Sequence, residues 1–191
     1  MSIEVQREAA LSLREPGGIV RVRVSWPPPG SGDGGPVLVF LSDVDSSPEA
    51  VDALCRGLCV EAGMLVLSLR TRAFDAATTA LEWTADHAHQ LGADPTRLLI
   101  GGVGTGGGLA AAVAAHARDL GWPPLTRQVL VRPDFSECPV PESLVGVAPA
   151  TVVGARAYAS RLEEAGVEVE ERRMGDLVGS LANQPRLLQG V

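Results

Sequence analysis

The residues best placed to do chemistry lie in Gly102-Val103-Gly104-Thr105-Gly106-Gly107, between the apolar run Leu98-Leu99-Ile100 and the alanine-rich Leu109-Ala110-Ala111-Ala112. That order reads as a buried strand, a tight turn and a helix. Gly102, Gly104 and Gly107 spell G-x-G-x-x-G, the spacing that lets a pyrophosphate approach a helix N-terminus. Arg132, after the next apolar run, is of a type that could meet a 2′-phosphate. The motif nevertheless stands late in the chain, whereas the fingerprint belongs to a first strand. A strand packed tightly on a helix also needs small residues for its own sake. Packing is therefore the reading of these glycines, and no cofactor is expected.

A second set is polar: Asp43, Asp45, Arg70, Thr105 and Asp176. All are expected near the C-terminal ends of strands, where open α/β sheets bind ligands. Arg70 and Arg72 follow an apolar run and lie within reach of Asp43 or Asp45. Such a group either forms solvated ion pairs of small energetic weight or lines a pocket in which carboxylates move protons.

The remaining reactive types carry less. His87 and His89 are two apart on one expected helix, hence on different faces and unable to hold one metal ion easily; His116 lies on the next helix, and no metal is expected. Cys55 and Cys59, four apart, share a helical face; with Cys138 they are expected as small buried thiols in a reducing compartment. A catalytic cysteine would need a positioned histidine. Tyr158, Trp26, Trp83 and Trp122 are expected to pack in the core or at its edge.

Composition bounds the partners. The chain has 191 residues, enough for one domain with a proper core, and 46% are hydrophobic. No apolar run approaches the roughly 20 residues of a membrane span. Glu4, Arg7 and Glu8 do not form the basic-then-apolar start of a secretion signal, so a cytoplasmic location is expected. The formal net charge is −7, without an arginine block, which argues against binding nucleic acid or a membrane. All 16 basic residues are arginine, a bias expected from a GC-rich bacterial genome.

Elements that could position these residues follow from periodicity. Alternation predicts strands over 3–13 and 19–26, joined at Pro16-Gly17-Gly18 as an N-terminal hairpin within 1–26. Residues 27–36 form a Pro/Gly loop, and an α/β core occupies 37–191. Continuous apolar runs predict buried strands over 37–41, 64–69, 97–100, 128–131 and 150–153, with a last strand over 167–172. Helical spacing predicts helices over 48–62, capped by Ser46 or Ser47, and over 73–90, 106–118, 155–165 and 177–188. Strands alternating with helices imply a single three-layer α/β domain, its mostly parallel sheet covered on both faces.

The string Leu91-Gly92-Ala93-Asp94-Pro95-Thr96-Arg97, the glycine-rich turn, Pro123-Pro124-Leu125, and Ala157-Tyr158-Ala159-Ser160-Arg161-Leu162 resemble the α/β-hydrolases, in their hormone-sensitive-lipase-like esterase branch. The resemblance implies that fold and a serine–histidine–acid triad. In that family the turn reads Gly-Asp-Ser-Ala-Gly-Gly, so the nucleophile's position holds Gly104. The acid's loop corresponds to Gly154-Ala155-Arg156, without a carboxylate, and the histidine's place to Val178. The family's His-Gly-Gly-Gly loop, which serves the oxyanion, corresponds to Ser42-Asp43-Val44-Asp45, whose carboxylates would oppose negative charge. The lid is reduced to 135–144. Thr105 follows the bend, where the family uses a backbone N–H, so its side chain should point elsewhere and is not a nucleophile.

The expectation is a pseudo-hydrolase that binds, scaffolds or regulates without catalysis, with a protein partner or a second copy of itself and a possible small-molecule ligand. Val167-Glu168-Val169-Glu170 alternates as an edge that could pair between copies, though its glutamates could equally protect that edge. The alternative is a non-hydrolytic enzyme, a lyase, isomerase or cyclase, using Asp43, Asp45, Arg70, Thr105 and Asp176 in a remodelled pocket.

Overall fold

The computed structural model describes residue 5 and residues 7–15, 17–29 and 34–183. Eight strands and five helices alternate: β1 Arg7–Glu15, β2 Gly18–Trp26, β3 Gly35–Ser42, α1 Pro48–Val60, β4 Leu65–Arg70, α2 Phe74–His87, β5 Ala93–Val103, α3 Thr105–Leu120, β6 Arg127–Val131, β7 Ala150–Val153, α4 Arg156–Glu164, β8 Val169–Arg172 and α5 Leu177–Ala182. Short 3₁₀ turns at His89–Leu91 and Met174–Asp176 complete the described elements. The eight strands form one sheet of order β1-β2-β4-β3-β5-β6-β7-β8. β1 and β2 run antiparallel to each other, β2 runs antiparallel to β4, and the rest are parallel.

The pleat sorts side chains between two layers. On β3, Val37, Val39 and Leu41 pack into the larger core with α2, α3 and α4, whereas Leu38 and Phe40 face α1 and α5. Both sets are fully buried, which explains why this strand reads as a continuous apolar run. Each such side chain contributes about 1.5–3 kcal/mol through burial. α1 starts where Ser47 accepts from the Ala50 N–H, with Pro48 in the first turn. It turns Val51, Cys55, Leu58 and Cys59 to the sheet. Burial pushes the Cys55 and Cys59 thiols up to about 12, so both behave as small apolar groups.

Several expected boundaries move. β5 reaches back to Ala93 because Gly35 pairs with Ala93 before the register shifts at Val37. The helix expected over 73–90 ends at His87, and a 3₁₀ turn and Gly92, at φ 84°, lead into β5. β1 extends to Glu15, since the hairpin register runs from Arg7–Trp26 to Glu15–Gly18; the expected residues 3 and 4 lie outside the described residues. α5 stops at Ala182, and 184–188 of the expected helix also lie outside them. Trp122 is no core residue: it stands 45% exposed beyond the end of α3. His87 stacks on Trp83 and His116 meets Phe74 edge-on, so both pack as expected. Among the described residues no helix is long and apolar enough to cross a membrane.

Candidate functional site

The bend between β5 and α3 is built around Gly104, whose φ of 60° and ψ of −130° lie where side-chain-bearing residues are rarely found. Hydrogen bonds hold it from every side. Its N–H donates to the Val131 carbonyl at 3.0 Å, and its own carbonyl accepts from the N–H groups of Gly107, Gly108 and Asp134. A Cβ at Gly104 would have nothing within 4 Å. A side chain at this position would therefore face open space at the sheet's C-terminal end.

The neighbouring glycines have a different reason to be glycine. A Cβ on Gly102 would stand 2.3 Å from the Gly106 carbonyl oxygen, one on Gly106 2.5 Å from that of Leu41, and one on Gly108 2.1 Å from that of Asp134. One on Gly107 would stand 3.0 Å from Pro133 Cα. Close packing thus accounts for Gly102 and Gly107 of the G-x-G-x-x-G spacing, and the backbone angle for Gly104. Arg132 lays its side-chain stem over Gly154 at the end of β7.

Beside the bend the structure gathers four of the polar groups. Thr105, the first residue of α3, donates its hydroxyl to Asp43 Oδ2 at 2.5 Å. Asp43 Oδ1 accepts from the Asp45 N–H at 3.0 Å and from Arg72 Nε at 2.9 Å. Arg72 also pairs with Asp45 and, at 3.4 Å, with Glu137. The Asp43 side chain is only 13% exposed, and it stands at a helix N-terminus, where a negative charge is favoured. These donors, the Thr105 hydroxyl first, hold its carboxyl well below the usual carboxylate range. Thr105 points at Asp43.

Three candidates fall outside this group. Arg70 pairs with neither aspartate; its Nη2 donates to the carbonyls of Val44 at 2.5 Å and Ser46 at 2.9 Å, tying down the loop after β3. Arg72 takes the pairing because it lies beyond the end of β4, where the chain is free to turn toward Asp43. Asp176 sits in the 3₁₀ turn before α5 and, among the described residues, bonds to none of the cluster. Val178 lies within α5 with its methyl groups over Gly57 of α1, 3.3 Å from where a Cβ would stand. Glu137 is the member that sequence reasoning missed, since it lies in an irregular segment with no pattern to point it at Arg72.

Between β6 and β7, residues 132–149 carry no helix or strand, so nothing resembling a lid domain stands over the bend from that side. Among the described residues no three His, Cys, Asp or Glu side chains are grouped to hold a metal ion.

The chain is similar to several proteins named as esterases. Esterase LipI of Mycobacterium tuberculosis is 33% identical over 144 residues, which cover 66% of this chain and 44% of LipI. Carboxylic ester hydrolase LipN of the same organism is 37% identical over 127 residues, 57% of this chain and 32% of LipN. The chain thus spans less than half the length of these curated relatives. Among solved structures, the carboxylesterase EstE1 from a metagenomic library superposes with a TM-score of 0.85 at 22% identity, covering 100% of this chain and 92% of EstE1. An esterase of Pyrobaculum calidifontis superposes at 0.77 and 24% identity, covering 88% of this chain and 76% of its own. With residues 40–153, from within β3 to the end of β7, matching the alpha/beta hydrolase fold, the chain belongs to that family.

Proposed function

We propose that this chain is a pseudo-hydrolase, a binding, scaffolding or regulatory protein on a hydrolase scaffold, acting on a protein partner, a second copy of itself or a small ligand. One observation carries the reading: Gly104 occupies the apex of a hydrogen-bonded bend where a side chain would face open space, and has none. Ester hydrolysis through a covalent intermediate needs an attacking oxygen there and a base to activate it. Thr105 does not replace it, because its hydroxyl is engaged by a carboxylate and not by an imidazole.

The cluster also argues against a non-hydrolytic enzyme that works through Asp43. An effective general base has a pKa near the working pH. Asp43 accepts three hydrogen bonds and is held ionised far below it. Its geometry suits a fastening between the β3 loop and α3 better than proton transfer.

The named relatives make ester hydrolysis the first activity to test. Purified protein is expected to turn over p-nitrophenyl acetate and p-nitrophenyl butyrate no faster than a mock preparation. Turnover above the mock that disappears in Asp43→Ala or Thr105→Val would overturn the proposal.

A further inference from the structure

A cleft of about 330 Å³ opens where the α1-covered face of the sheet meets the first turn of α1, toward the β1–β2 side. Its polar lining is Arg21 and Arg23 from β2, Ser68 and Arg70 from β4, Ser42 at the end of β3, and Asp52 of α1, whose carboxylate is taken up by Arg23. Ala10, Pro48 and Val51 supply an apolar wall. The pleat brings these residues together, because alternate positions on a strand face one side. Arg70 is the register partner of Ser42, and Arg23 that of Ser68. Continuing the β2–β4 ladder sets Arg21 beside Arg70.

Two guanidinium groups on adjacent strands repel, and in a chain of net charge −7 composition does not explain them. Internal partners answer only part of the charge. Arg23 is paired with Asp52 at 2.8 Å, with Glu8 also acting on it. Arg70 bonds to two neutral carbonyls, and Glu49 acts on it from α1. Arg21 has no ion-pair partner among the described residues. Ser42, 1% exposed, lines the cleft between Pro48 and Arg70.

We propose that this cleft binds a small organic anion, a carboxylate or phosphate monoester with a short apolar arm. The head rests on Arg21 and Arg70 beside the Ser42 hydroxyl, and the arm lies against Ala10, Pro48 and Val51. Guanidinium forks accept either head group, and the volume lies at the small end of ligand sites, which run from roughly 300 to 1,000 Å³. The site is separate from the bend: Ser42 faces α1, whereas Asp43 reaches across to α3. The proposal therefore stands whether or not the bend is catalytically silent.

Titration calorimetry of the whole chain at low salt tests it, with hexanoate, phenyl phosphate, inorganic phosphate and hexanol as probes. Hexanoate or phenyl phosphate is expected to bind saturably at one site, and the tighter of the two identifies the head group. Arg21→Ala, which breaks no ion pair among the described residues, is expected to weaken binding about tenfold or more, the weight of a charge-assisted bond. Arg161→Ala, a distant exposed arginine on α4, is expected to leave it unchanged. No saturable binding by either organic anion, equal affinity in Arg21→Ala, or hexanol binding as tightly as hexanoate would each overturn the proposal. Inorganic phosphate matching phenyl phosphate would remove the apolar arm from it.

Discussion

Gly106→Ala is expected to cost about 3 kcal/mol or more of folding stability, the upper range of overpacking, or to prevent accumulation of folded protein. The added methyl would stand 2.5 Å from the Leu41 carbonyl oxygen, 2.6 Å from its carbon and 2.7 Å from Ser42 Cα. All three are backbone atoms at the end of β3, a strand held on both sides by β4 and β5, so none can rotate away. Either α3 moves off the sheet or β3 leaves its ladder. Against the 5–15 kcal/mol typical of a domain, that is a large share. Two other glycines serve as controls. Gly104→Ala meets nothing within 4 Å but keeps a φ of 60°, so about 1–3 kcal/mol of strain is expected. Gly179→Ala, within α5 and equally free of contacts, is expected to leave stability unchanged or raise it by about 0.5–1 kcal/mol. Urea midpoints should fall in the order Gly179→Ala, wild type, Gly104→Ala, Gly106→Ala. A Gly106→Ala protein with a wild-type midpoint would refute the packing account of the glycine turn and reopen the case for a ligand cradle there.

The same contrast shows what a sequence can and cannot disclose about such a turn. That a strand, a glycine bend and a helix follow one another was legible from Leu98 to Ala110, because apolar runs and alanine content are local properties. The two meanings of glycine within it were not. Gly104 is required by a backbone angle, and Gly102, Gly106 and Gly108 by atoms of β3, α3 and the loop after β6. Only the assembled sheet brings those atoms near. Register is similar: the run 37–41 announces a buried strand, yet only its pairing to Ala93 through Gly35 explains why β5 begins well before Arg97. At the cluster, Asp43, Asp45 and Thr105 were nameable because each adjoins a strand end. The choice of Arg72 over Arg70, and the arrival of Glu137, depend on how two irregular loops close over those ends.

Replacing Asp43 by asparagine is expected to lower stability at neutral pH in a way that vanishes on acidification, because the substitution keeps the side chain's size and removes its charge. In the folded protein the carboxyl is held below its ordinary value by the Thr105 hydroxyl, the Asp45 N–H and Arg72; in the unfolded chain it titrates near 3.9. A carboxyl with a depressed folded pKa stabilises the fold fully above the unfolded pKa. That contribution is lost as pH falls toward the folded value. The difference in urea midpoint between wild type and Asp43→Asn should therefore be full and constant from pH 7 to about 5, begin to narrow below about pH 4, and keep narrowing to the lowest pH at which the protein folds. Asp94 and Glu49, whose carboxyls are also lowered, titrate in both proteins and cancel in the difference. Thr105→Val, which removes the first of the three donors, should shrink the difference at neutral pH and raise the pH at which narrowing is complete while leaving its onset near pH 4, whereas Arg161→Ala should change neither. A difference that stays level from pH 7 to pH 2, or that is absent at pH 7, would mean that Asp43 does not fasten the β3 loop to α3. Asp43 would then no longer be too weak a base for catalysis on the strength of its three hydrogen bonds.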